Sequence, residues 1–103
     1  MPDKTWKAVE RRVAKMFGGQ RNPLSGGNSR HTQGDVIHPM FFIEVKHRAK
    51  IPFLKIWLDT KQKAKKEGKI PVLIVHQKGS QNYVAVVDAE YLARLIEAWE
   101  KKE

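Results

Sequence analysis

The chain has 103 residues, 41% of them hydrophobic and 30% charged, with 20 Lys and Arg against 11 Asp and Glu, a formal charge of +9 and a pI near 10.0. That length fits one domain spanning 1–103, and the composition is that of a folded protein rather than a disordered tail. The longest apolar runs, 40–43 and 72–75, fall far short of the ~20 residues of a spanning helix, no apolar leader follows Met1, which predicts an intracellular protein, and the lack of cysteine excludes disulfides and thiolate metal sites.

Along the chain, residues 5–17 carry Trp6, Val9, Val13, Met16 and Phe17 at steps of three and four. This predicts an amphipathic helix capped by Asp3 or Thr5 and stopped by Gly18-Gly19. Residues 18–34 hold five glycines and read as loop, with a short edge strand over 20–24. Segments 35–38 and 41–47 read as two strands of a hairpin joined through Pro39. A second helix is predicted over 53–67, closed by Gly68, then a β-branched strand over 71–76, a turn over 79–82 and a strand over 83–87. Asp88 is expected to cap a last helix with Leu92, Leu95, Ile96 and Trp99 on one face; these read as core, with self-association as their other use. The predicted fold class is α/β: a mixed sheet flanked by helices in the order α-β-β-β-α-β-β-α.

Charge is unevenly distributed. Residues 1–87 carry 17 Lys and Arg against 6 Asp and Glu, whereas 88–103 carry 3 against 5. A small basic body attracts polyanions because each neutralised phosphate releases condensed counterions, so nucleic acid is the expected partner.

Within that body a few acids stand where acids are costly. Strand alternation over 41–47 puts Glu44 beside Lys46 on one face, and a hairpin returns Asp35 to the Glu44 end. Two hard carboxylates with a backbone carbonyl such as that of Val45 suit Mg²⁺ or Mn²⁺, and Lys46 is placed to orient water and stabilise charge on phosphorus. On the first helix, Glu10 falls about 40° from Trp6 at 100° per residue, inside the apolar stripe. A carboxylate there needs a companion, and a cation, a metal-bound water or Lys46 would serve.

The string Gly34-Asp35, eight residues, then Glu44-Val45-Lys46 resembles the PD-(D/E)xK nuclease signature, with Gly34 where that family has proline. The chain is similar to the small Holliday-junction resolvases of archaea and phages in Glu10-Arg11, in Arg21 followed by Ser25-Gly26, and in residues 68–73. The resemblance implies a restriction-endonuclease-like fold. It makes Asp35 and Glu44 metal ligands, Lys46 the catalytic lysine, and Glu10 a ligand or water-holder. It gives Arg11, Arg21 and Ser25 contacts to the scissile phosphate region, with Ser29 the alternative to Ser25. It further implies a Mg²⁺-dependent, structure-selective endonuclease that resolves four-way DNA junctions as a homodimer, in the cytoplasm of a prokaryote or phage-infected cell. Two alternatives stay open: a related nickase or repair nuclease acting on other branched or damaged DNA, and a non-catalytic basic DNA-binding module.

Several further residues are candidates for DNA contact. The loop 25–32 offers backbone amides and Arg30 to phosphates, and without a G-K-[ST] ending it does not bind a nucleotide cofactor. Of the histidines, His47 and His31 are the ones placed to touch DNA, and Arg48 is a further candidate. Lys61 and Lys65 share the stripe of Leu54, Trp57 and Leu58 on the second helix, where they either meet DNA or extend from a core edge into water. The four histidines lack zinc-ligand spacing and are read as structural or surface residues.

Overall fold

The computed structural model describes residues 5–23, 32–48 and 52–102, with Arg48 described by its backbone. Its elements follow the predicted order: α1 (Thr5–Met16), β1 (Gln20–Arg21), β2 (Val36–Ile37), β3 (Phe41–Arg48), α2 (Phe53–Glu67), β4 (Ile70–Gln77), β5 (Val84–Val86) and α3 (Ala89–Lys101). The strands form one mixed sheet in the order β1-β2-β3-β4-β5, parallel between β3 and β4 and antiparallel elsewhere. The Gln20–Leu24 edge strand expected from sequence is shorter, two residues, because Asn22 leaves the strand to serve as a bridge described below.

Side-chain alternation sorts β3 and β4 into two layers. Phe41, Ile43 and Val45 with Val72 and Ile74 face α1, which buries Val9, Val13 and Ala14 against them. On the other face Phe42 and Leu73 are fully enclosed, and α2 packs there on β3 and β4. The buried residues of α2 are Thr60 and Ala64, not the Leu54–Trp57–Leu58 stripe that periodicity suggests; Leu54 and Leu58 are exposed. Small side chains let the helix approach the sheet closely, and the Thr60 hydroxyl is satisfied within its own helix by donating to the Ile56 carbonyl at 2.8 Å.

Two glycines shape the frame. Gly68 ends α2 in the left-handed region at φ 65°, as the sequence predicts. At Gly19 any Cβ would lie 2.5 Å from the Ile37 carbonyl oxygen, so only glycine lets the chain leave α1 and enter β1 beside β2.

Two expectations about α3 are corrected. Asp88 occupies its N-cap position but makes no capping hydrogen bond; its carboxylate instead accepts from Lys61 Nζ at 3.1 Å. Leu92, Leu95, Ile96 and Trp99 share one face as predicted but are not core: α3 buries no residue, and Trp99 is 66% exposed. The helix touches the body mainly through its start, where Tyr91 meets the edge of Phe41. Among the described residues no helix is long and apolar enough to cross a membrane.

Candidate active site

The site grows out of the β2–β3 hairpin. Val36 pairs with Ile43, which sets Asp35 against Glu44 one step further along. Asp35 is held twice: its amide donates to the Ile43 carbonyl at 2.9 Å, and its Oδ2 accepts the Val45 amide at 2.8 Å. The carboxylate thus takes over a place in the ladder, which fixes its orientation toward Glu44. Glu44 is buried and hydrogen-bonds to Asp35, while Lys46 Nζ lies 3.3 Å from Glu44 Oε2. The strand periodicity that placed Glu44 and Lys46 on one face is therefore realised as an ion pair.

Removal from water dominates the electrostatics. Burial pushes the Glu44 carboxyl up to about 7, reinforced by the Asp35 charge and by the hydrogen bond Glu44 donates to it, and opposed by Lys46. Burial likewise raises Asp35, against the stabilising Val45 amide and the Glu44 hydrogen bond. The two carboxyls titrate as a unit, and burial favours holding a proton between them.

Glu10 is 7% exposed, inside the α1 stripe as its periodicity requires. Its companion is Arg21, whose Nε donates to Glu10 Oε1 at 2.9 Å while the guanidinium lies over the Trp6 ring at 5.3 Å. Lys46, an expected companion, acts on Glu10 only through its charge. Burial raises the Glu10 carboxyl and Arg21 opposes this; the Glu44 charge also reaches it, so the three acids belong to one electrostatic centre.

Around this centre stands a support the sequence did not reveal. Asn22 is buried, and its amide donates to the Thr32 carbonyl at 3.0 Å and the Gly34 carbonyl at 2.8 Å, while its backbone amide donates to the Asp35 carbonyl at 2.8 Å. Thr32 Oγ1 donates to Glu67 at 2.6 Å and accepts the Gly34 amide at 3.0 Å. Gly34 uses an amide that proline would lack, which gives the departure from the signature a physical basis. In sequence Asn22 precedes proline and reads as an ordinary turn residue; only its long-range partners give it away.

Other candidates are distributed as follows. Arg11 is exposed on α1. His47 leaves β3 on the α1 side, its Nδ1 2.6 Å from that of His76. Lys61 is paired with Asp88 and lies over Trp57 at 5.8 Å, and Lys65 lines a groove with Leu58 and Pro71; neither contacts the acidic pair. Ser25, Ser29, Arg30, His31 and the Asp3 cap lie outside the described residues, as does the side chain of Arg48.

The donor set fits a hard divalent cation: two carboxyls pressed together in a dry place that raises both, so that a cation would favour their ionised forms. Among the described residues no three His, Asp or Glu side chains converge as a ligand cluster, so the protein offers a pair of carboxylates, with Glu10 held aside by Arg21. Two protein carboxylates with the remaining positions left to water and phosphate is the usual habit of Mg²⁺.

A mixed sheet with an acidic hairpin, an E-x-K strand and a helix-borne glutamate defines the PD-(D/E)xK class of nucleases. The chain belongs to the family described as "Phage putative PDDEXK endonuclease", whose model matches residues 7–102. No curated protein and no solved structure matches it.

Proposed function

We propose that this protein is a divalent-metal-dependent, structure-selective DNA endonuclease that resolves four-way junctions by paired phosphodiester hydrolysis, acting as a homodimer with Mg²⁺ as the resident ion and Mn²⁺ able to replace it. The observation that carries the nuclease chemistry is the Asp35–Glu44 pair with Lys46 at 3.3 Å. The junction substrate is supported by the sequence resemblance to small resolvases and by the basic body around an acidic centre.

Asp35 and Glu44 would hold the cation, with the Val45 carbonyl as a further donor and Glu10 at the margin of the centre. When bound, such an ion polarises a phosphoryl oxygen and makes water a stronger acid. Asp35 and Glu44 would hold the ion in their ionised forms, giving up any proton between them. Lys46, sharing Glu44 with the ion, would orient the attacking water and stabilise the negative charge growing on the phosphoryl group. Arg11 and Arg21, with Arg30, Arg48 and one of Ser25 or Ser29, serve the backbone near the scissile bond; Lys61 and Lys65 serve more distant arms.

Homodimerisation is supported by α3. Its exposed apolar residues at i, i+3, i+4 and i+7 form a stripe that a second copy would cover, and a two-fold pair supplies two cutting centres for two strands. The experiment is incubation of the protein with a labelled four-way junction, the matching linear duplex and single strand, each with Mg²⁺ or EDTA. Paired symmetric nicks on the junction in Mg²⁺ alone are expected. Nicking of linear duplex at the same rate would assign the chain to the nickase alternative instead.

A further inference from the structure

The side of the sheet opposite the acidic pair carries a second cluster that the nuclease chemistry does not use. His47 and His76 are register partners at the ends of the parallel strands β3 and β4. Their Nδ1 atoms are 2.6 Å apart and their ring planes are within 21° of one another, so the imidazoles meet edge to edge, one donating and the other accepting. Tyr83 stacks on His76 at 4.4 Å, and the Arg12 guanidinium lies over Tyr83 at 5.5 Å. The column His47–His76–Tyr83–Arg12 thus runs from the strand that bears Lys46 to the exposed flank of α1.

His76 and Tyr83 of this column line an open groove of about 560 Å³ against α1, together with Ala8, Val9, Arg11, Arg12 and Lys15. The described part of α1 has a single acid, Glu10, which is buried and paired with Arg21, so the groove's rim is positive throughout. The aromatic groups lining the groove, His76 and Tyr83, already stack on one another, and the cation of Arg12 lies over Tyr83. What the groove offers is cationic and hydrogen-bonding groups beside apolar Ala8 and Val9, which suits sugar and phosphate.

Position completes the argument. Lys46 and His47 are consecutive on β3 and point to opposite faces, so the acidic centre and the groove open on two sides of the same strand end.

Resting on the nuclease reading, we infer that the α1–Tyr83 groove is a second contact for the DNA backbone, with Arg12 and Lys15 binding phosphates of the duplex arm that leads away from the scissile bond. Arg12 is a binding residue here, and Tyr83, stacked on His76, positions it.

The test is a salt titration of binding to a four-way junction and to linear duplex, in Ca²⁺ without turnover. It compares wild type, the double variant Arg12→Glu/Lys15→Glu, and the double variant Arg94→Glu/Lys101→Glu on α3, which makes the same charge change elsewhere. The groove variant is expected to bind at least tenfold more weakly and to lose about two phosphate contacts, a fall of roughly 1.8 in the slope of log K against log salt. The α3 variant should stay within about threefold of wild type. If Arg12→Glu/Lys15→Glu fails to fold, Arg12→Gln/Lys15→Gln reads the same quantities. Equal effects of the groove and α3 variants would overturn the inference. A wild type that shows no metal-dependent cleavage of any DNA would instead remove the nuclease reading, so the two failures are separate.

Discussion

Glu44 stands against Asp35 across the β2–β3 hairpin, in a place so dry that the Glu44 carboxyl is pushed up to about 7. Two ionised carboxylates there repel one another, and a proton between them or a divalent ion relieves that repulsion.

The sign of the resulting pH effect is definite. A carboxyl raised from 4.5 to about 7 binds more protons in the folded than in the unfolded chain between those values. Its contribution is therefore full below pH 4.5 and is lost as pH rises through 7, amounting to about 3 kcal/mol by linkage. Metal-free protein is expected to be less stable at pH 8 than at pH 6, and Glu44→Gln should flatten that dependence. Urea unfolding at the two pH values measures it.

Divalent ions should act in the opposite sense. Loading the pair releases any proton between the two carboxyls, so Mg²⁺ or Mn²⁺ is expected to raise Tm more at pH 8 than at pH 6, growing with ion concentration. Asp35→Asn, which keeps an oxygen for the Val45 amide, should abolish the rise without unfolding the hairpin. Thermal scans with and without EDTA read both.

Arg21 matters to Glu10 as much as to any phosphate. Arg21→Ala leaves a buried carboxylate without its partner and is expected to cost about 3 kcal/mol. Adding Glu10→Gln should recover a good part of this. A double-mutant cycle gives the coupling energy directly.

Gly19→Ala sets a Cβ against the Ile37 carbonyl and is expected to destabilise by about 1–3 kcal/mol, since backbone rather than a mobile side chain must move. Denaturant midpoints at unchanged m-value would register it.

On α3, Leu95→Glu or Trp99→Glu is expected to shift a dimer toward monomer while leaving the monomer's stability nearly unchanged, because neither side chain is buried within one chain. Light scattering over a dilution series measures the shift.

The frame was legible because it rests on short-range patterns. Strand alternation put Glu44 beside Lys46, helix periodicity put Glu10 inward, and Gly68 ended α2 where expected. Long-range partnerships were not legible. Nothing near Arg21 in sequence announces that Glu10 will claim it, nor that Asn22 will bridge Thr32 and Gly34. The stripes on α2 and α3 misled for a related reason: amphipathic period marks an apolar face but not what covers it, and Leu54, Leu58 and Trp99 remain exposed on the chain.

The most direct measurement is strand cleavage of a labelled four-way junction by wild type, Asp35→Asn and Glu44→Gln in Mg²⁺, with junction binding measured alongside. Wild type should cut, EDTA should stop it, and both variants should bind the junction yet cut about 10²–10³-fold more slowly, the order of loss seen when charge-stabilising groups are removed from an active site. Cleavage by either variant at the wild-type rate would contradict the assignment of the Asp35–Glu44 pair as the catalytic centre.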